Sequence, residues 1–140
     1  MSDEALARLP HGEGFRFLRR TVTCEPGRTG SFHFAMPPDH PILRAHFPGH
    51  PIVPGTVLLE AMAQAAGVVW GAAEPDAPVA RWLVGVARAR FRVPVGPADA
   101  AVVHATCERV IGSAATFSAE VRVGGRVAAE AELTLARAAP

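Results

Sequence analysis

Apolar and polar positions change rhythm twice along the chain. In "SFHFAM" (31–36), Phe32, Phe34 and Met36 alternate with Ser31, His33 and Ala35, the period of two of a strand. Pro37 and Pro38 end it. From Gly55 to about Ala72 the alternation gives way: Val57, Leu58, Leu59, Met62, Ala65, Ala66, Val68, Val69 and Trp70 cover nearly the whole circumference of a helix, which predicts a helix buried on all sides. "EPDAP" (74–78) ends it with turn residues. After Val79 the period of two returns. Leu83, Gly85, Ala87, Ala89, Phe91 and Val93 are expected on one face of a strand, with a weaker strand over 101–111. Phe117, Ala119, Val121 and Val123 alternate with polar residues up to Gly124-Gly125, a hairpin signal. The return strand sets Val127, Ala129, Ala131, Leu133 and Leu135 against Glu130, Glu132 and Thr134.

These elements predict an α+β chain, an antiparallel sheet curled around one long central apolar helix, in a single domain over residues 1–140. Such a sheet covers only part of such a helix, so the remainder is expected to pack on a second subunit.

Composition narrows the field. With 49% hydrophobic and 19% charged residues, the chain is too apolar to be disordered and long enough to bury a core without staples. A formal net charge of +1 argues against a general nucleic-acid binder. No run of about 18 apolar residues predicts a membrane span. The opening "MSDEALARLPHGEG" lacks an apolar signal region, and Cys24 and Cys107 read as free thiols. A cytoplasmic location is expected.

The chemistry concentrates in "HFPGHPIVPGTVLLEAMAQ" (46–64). Thr56, Glu60 and Gln64 are the polar side chains of the helical run; at i, i+4, i+8 they share one face, each about 6 Å of rise from the next. A carboxyl group removed from water is driven towards its protonated form, which suits a general acid. The plainer alternative puts Glu60 at an uncovered, solvated edge. Pro48, Pro51 and Pro54 make the preceding segment a rigid loop leading to a helix start at Gly55, whose N–H is a candidate oxyanion donor. His46 is a candidate base.

His40, His46 and His50 also permit a metal reading, but Pro48 and Gly49 forbid the helix that an i, i+4 histidine pair needs, and no third ligand has a supporting spacing. No metal is expected. Arg88, Arg90 and Arg92 follow Trp82, Val84 and Val86 at even positions, a basic row read either as a solvated strand face or as a contact for an acidic partner.

The stretch "HFPGHPIVPGTVLLEAMAQAAG", with "LPH" near the start, "ARFRVPV" at 89–95 and "VAAEAEL" near the end, closely resembles the FabZ-type 3-hydroxyacyl-[acyl carrier protein] dehydratases, which have the hotdog fold. The resemblance runs from about Leu9 to Arg137. It implies that His46 and Glu60 are the catalytic pair, that the Gly55 amide polarises the thioester carbonyl, and that Gln64 orients the carboxylate. Phe47 and Pro54, from the same loop, complete the implied substrate-binding set. The resemblance further implies a site shared across a homodimer, with a trimer of dimers as the larger alternative. The implied partner is acyl carrier protein bearing its substrate on 4'-phosphopantetheine, with Arg88, Arg90 and Arg92 as candidate contacts. There are departures: Gly12 follows His11 where the family usually has arginine, Ala45 replaces a glycine, and tyrosine is absent.

The implied reaction is reversible dehydration of (3R)-hydroxyacyl thioesters to trans-2-enoyl thioesters, in fatty-acid or polyketide and polyene synthesis. It requires no cofactor, since the thioester itself acidifies the carbon. A hotdog thioesterase and a catalytically silent acyl-binding subunit are the rival readings. A dehydratase/isomerase of the FabA type is disfavoured, because that type carries aspartate where Glu60 stands.

Overall fold

Helix α3 (Gly55–Ala72) lies at the centre of the molecule, and its bounds follow from the residues at its ends. The computed structural model describes residues 3–78 and 82–138. Pro54 stands just before the first turn with φ −57°, where its missing N–H costs nothing because first-turn donors have no intrahelical acceptor. After Ala73, Pro75 disfavours a helical conformation at Glu74. Arg8 donates to the carbonyls of Gly71, Glu74 and Ala77 at 3.3, 3.2 and 2.6 Å, satisfying acceptors near the helix end.

Six strands wrap this helix: β1 (Leu18–Glu25), β2 (Thr29–Phe34), β3 (Trp82–Phe91), β4 (Ala101–Ile111), β5 (Ala114–Val123) and β6 (Arg126–Arg137). Their order is β1-β2-β4-β5-β6-β3, with every neighbouring pair antiparallel. Phe32, Val103, Phe117, Val121, Leu133 and Leu135 form one buried cluster with Ala61, Met62, Ala65 and Val69 of α3. This is the α+β hotdog arrangement. Val79 and Arg81, where the strand periodicity resumes, lie outside the described residues.

The helix does not leave a bare side for a second subunit, contrary to the expectation from its sequence. Residues 61–70 are all buried within one chain. The short helix α1 (Glu4–Ala7) packs on α3, and Leu6 and Leu9 join the core together with Leu43 and Val53. Apolar surface is uncovered along β3 instead, where Leu83 is 65% exposed and Phe91 50%.

Strand β3 also does not present one even face. Val84 and Val86 pair with Leu135 and Leu133, but Arg88 pairs with Glu132 and Arg90 with Glu130, because the register shifts between Val86 and Arg88. The extra residue, Ala87, is a bulge, and a bulge reverses which positions face the helix. Trp82, Val84 and Val86 therefore share the face of the buried Leu133 and Leu135, whereas Arg88 and Arg90 share the outer face with Glu130 and Glu132. The predicted odd-position face is split in the same way, into Leu83 and Gly85 outside and Ala89 and Phe91 inside.

Strand β1 has no periodic signature in the sequence for a similar reason. Register shifts between Leu18 and Arg20 and between Thr21 and Thr23 space its buried positions, Leu18 and Thr21, three apart. The short helix α2 (Pro41–Ala45) begins with proline at its first turn and is capped by the His40 ring, which accepts from the Ile42 N–H.

Candidate active site

The stripe predicted on α3 is a gradient of burial. Thr56 is exposed, Glu60 half-buried and Gln64 1% exposed. A buried primary amide must satisfy both ends, and Gln64 does. Its Oε1 accepts from the Phe17 N–H at 3.1 Å, and its Nε2 donates to the Phe15 carbonyl at 2.8 Å and to Glu60 Oε2 at 2.9 Å. One side chain thus ties the segment before β1 to the carboxylate one helical turn away.

Glu60 faces a cleft of about 290 Å³ lined by Pro10, His11, Ala63, Gln64, Trp82 and Val84. The wall is mostly apolar because Trp82 and Val84, on the inner face of the first half of β3, line it. His11 Nε2 lies 3.3 Å from Glu60 Oε2, the two side chains being 24% and 28% exposed. No periodicity marks His11, and its one signal in the sequence is the "LPH" triplet that contains it. Its approach to Glu60 is a long-range contact that spacing does not reveal.

His46 sits elsewhere within the chain and does not line this cleft. It ends α2, and its loop is closed by paired backbone bonds: Phe47 N–H to the His50 carbonyl (3.2 Å), His50 N–H to that of Phe47 (2.9 Å), and Ile52 N–H to that of His46 (2.9 Å). Gly49 makes the turn with φ +75°, a conformation open to glycine without steric cost. His46 Nδ1 lies 3.0 Å from the Ile52 carbonyl; a carbonyl only accepts, so Nδ1 carries the proton and Nε2 is left with its lone pair. Phe47, exposed, stacks on the His46 ring with centroids 4.2 Å apart. Pro54 is buried behind the loop, and the Val53 N–H bonds the Val95 carbonyl at 2.8 Å.

Gly55 opens α3 beneath Phe91. A Cβ placed on it would stand 3.1 Å from the Phe91 ring, so the space above the helix start is bounded by that ring. His40 is fully engaged, with Nδ1 on the Ile42 N–H and Nε2 2.8 Å from the Gly14 carbonyl. His50 is exposed, and both cysteines are free thiols.

The arginine row meets carboxylates. Arg92 pairs with Glu130 at 2.7 Å, and Arg88 and Arg90 stand opposite Glu132 and Glu130. The hydrogen bond from Arg92, then the charges of Arg92, Arg90 and Arg88, hold the Glu130 carboxyl below its usual range. The outer face is a mixed-charge ladder rather than a bare basic strip.

The FabA-like domain family matches residues 9–132. The chain is 34% identical over 137 residues to the 3-hydroxyacyl-[acyl-carrier-protein] dehydratase FabZ of Dechloromonas aromatica (strain RCB), with 96% of this chain and 95% of that protein covered. It is 34% identical over 139 residues to the protein of the same name from Klebsiella pneumoniae subsp. pneumoniae, covering 96% and 91%. Among solved structures, the dehydratase heterocomplex ApeI:P from Xenorhabdus doucetiae aligns with a TM-score of 0.75 at 17% identity, covering 96% of this chain and 91% of that one. The phenylacetic acid degradation protein PaaI from Thermus thermophilus aligns at 0.63 and 18%, covering 85% and 92%. At such identities the solved structures speak for the fold alone. The match in sequence takes in the proline-rich loop, the central helix and strands from every part of the sheet, and on that ground the chain belongs to the FabA-like family.

Proposed function

We infer that this protein is a hydro-lyase that reversibly dehydrates (3R)-hydroxyacyl thioesters held on acyl carrier protein, giving trans-2-enoyl thioesters in fatty-acid synthesis. The observation that carries this reading is Glu60, a carboxyl group facing a mostly apolar cleft and held there by Gln64. His46 Nε2, left with its lone pair, removes the C2 proton. The electron pair moves into the thioester carbonyl, whose oxygen is met by the Gly55 N–H, a donor worth on the order of 3 kcal/mol. Collapse of the enolate expels the 3-hydroxyl, which takes a proton from Glu60 and leaves as water. Phe47 and Pro54 flank the acyl chain beside His46.

Within one chain His46 does not line the Glu60 cleft, so the pair is completed by a second copy. The exposed apolar edge strand β3 is the surface suited to join two copies. Arg88 and Arg90, on the outer face of that strand, are candidate contacts for the acidic carrier and its phosphate-bearing arm. Among the described residues no helix is long and apolar enough to cross a membrane; a cytoplasmic location belongs to this reading.

The test is a carrier-bound 3-hydroxyacyl substrate followed at once for enoyl absorbance and for released thiol. Enoyl formation that is lost in His46→Ala and Glu60→Ala supports the assignment. Thiol release without enoyl product would make the protein a thioesterase, and full turnover by His46→Ala would remove the proposed base.

A further inference from the structure

We propose that His11 is a positioning residue for Glu60, which fixes the carboxyl so that Oε1 alone works on the substrate. Two nitrogens converge on one oxygen: Gln64 Nε2 donates to Glu60 Oε2 at 2.9 Å, and His11 Nε2 lies 3.3 Å from the same atom. The direction of the histidine contact follows from the other ring nitrogen. Nδ1 of His11 is buried with no hydrogen-bond partner among the described residues. A buried N–H without an acceptor is the rarer and costlier arrangement, whereas an idle lone pair is tolerated. The proton therefore sits on Nε2, so His11 turns an N–H rather than a lone pair toward the Glu60 carboxyl. With Oε2 occupied twice, a proton carried by Glu60 resides on Oε1.

The same network holds the histidine in place. His11 stacks on Phe15, with centroids 6.3 Å apart and planes inclined by 22°, and the Phe15 carbonyl is bonded by Gln64. Gln64 thus positions the carboxylate directly and His11 through Phe15. Other charged groups near His11 are Asp3, Glu13, Arg16 and Arg19, which border a neighbouring cleft with it. Arg16 is engaged with the carbonyls of Leu6, Ala7 and Leu9. The remaining walls facing Glu60, Pro10, Ala63, Trp82 and Val84, carry no charge.

The consequence for turnover rests on the dehydratase reading, but the geometry does not. When Glu60 gives up its proton, the charge left behind faces the N–H groups of Gln64 and His11. His11→Leu removes the donor at similar volume, whereas His11→Gln returns an N–H near the Nε2 position. His11→Leu is expected to lower kcat on the order of tenfold with little change in KM, and His11→Gln to stay within about threefold of wild type. Titration of the Glu60 carboxyl, followed by carbon-13 NMR with labelled glutamate, reads the same contact without turnover. Losing a donor favours the protonated form, so its midpoint moves to higher pH in His11→Leu and returns towards wild type in His11→Gln. An unmoved midpoint in His11→Leu, or equal impairment of both variants, overturns the proposal. A moved midpoint in a protein that forms no enoyl product upholds the contact and overturns the dehydratase reading instead.

Discussion

Trp82 of β3 lies along Trp70 of α3, with ring centroids 4.9 Å apart and planes inclined by 20°. The contact passes over Gly67, where a Cβ would stand 2.7 Å from Trp82 Nε1. Arg137 covers both rings, at 5.0 and 5.9 Å from their centroids, and pairs with Glu74. The strand that walls the cleft is thereby fastened to the helix at a residue with no side chain.

Gly67→Val is expected to push the Trp82 indole off the helix and to destabilise the protein by about 1–3 kcal/mol through overpacking. Urea unfolding gives the stability, and near-UV circular dichroism gives the loss of the paired indoles. A variant with an unchanged midpoint and an unchanged near-UV signal would show that the approach is not required.

Gln64→Leu leaves the Phe17 N–H without its partner in a buried place and the Phe15 carbonyl without its partner in a partly buried one. The expected loss is about 2–4 kcal/mol from two unmet backbone groups, with kcat falling as Glu60 loses its support. Chemical denaturation and steady-state kinetics measure the two separately, and a stability within about 0.5 kcal/mol of wild type, the range of ordinary surface changes, would contradict the account.

Subunit sharing can be read from mixtures. If each site takes His46 from one copy and Glu60 from the other, an equal mixture of unfolded and refolded His46→Ala and Glu60→Ala chains regains about a quarter of wild-type activity, since half the dimers are mixed and each has one intact site. A mixture as inactive as its components would place the whole site within one chain.

Arg88→Glu with Arg90→Glu is expected to raise KM for carrier-bound substrate several-fold while sparing a short thioester analogue, with the difference fading as salt is added. Arg92 is the weaker test, because Glu130 already engages it. Equal effects on both substrates would detach the outer face of β3 from carrier recognition.

His104 shares a 2.6 Å hydrogen bond with Ser31 and stands opposite Glu120. Burial lowers its pKa from 6.5, Glu120 partly opposes this, and Arg122 adds to the lowering. The unfolded chain then takes up a proton more readily than the folded one, so stability falls as pH drops below about 6.5 and levels off below the folded value. His104→Gln is expected to flatten this part of the curve of melting temperature against pH. An unchanged slope would exclude His104 as its source.

Legibility in the sequence followed regularity of spacing. The bounds of α3 could be read directly, because proline precedes it and "EPDAP" follows, and the hairpin at Gly124-Gly125 was equally plain. β1 was illegible because its bulges break the alternation. The two faces of β3 do not follow from its alternation because one bulge changes the parity midway. In the site, Glu60 and Gln64 stood out as polar residues in an apolar run. His11 did not, since its meaning lies in a contact with a distant helix and not in any local pattern.

The single extra residue at Ala87 gives one ribbon two outward identities, greasy toward the cleft in its first half and ionic toward solvent in its second. Deleting that residue would restore strict alternation and bring guanidinium groups down beside the start of the central helix, while lifting the Phe91 ring away from Gly55. The strand's dual character thus hangs on a length, not on a composition. An insertion or deletion here would do more harm than most exchanges of side chain.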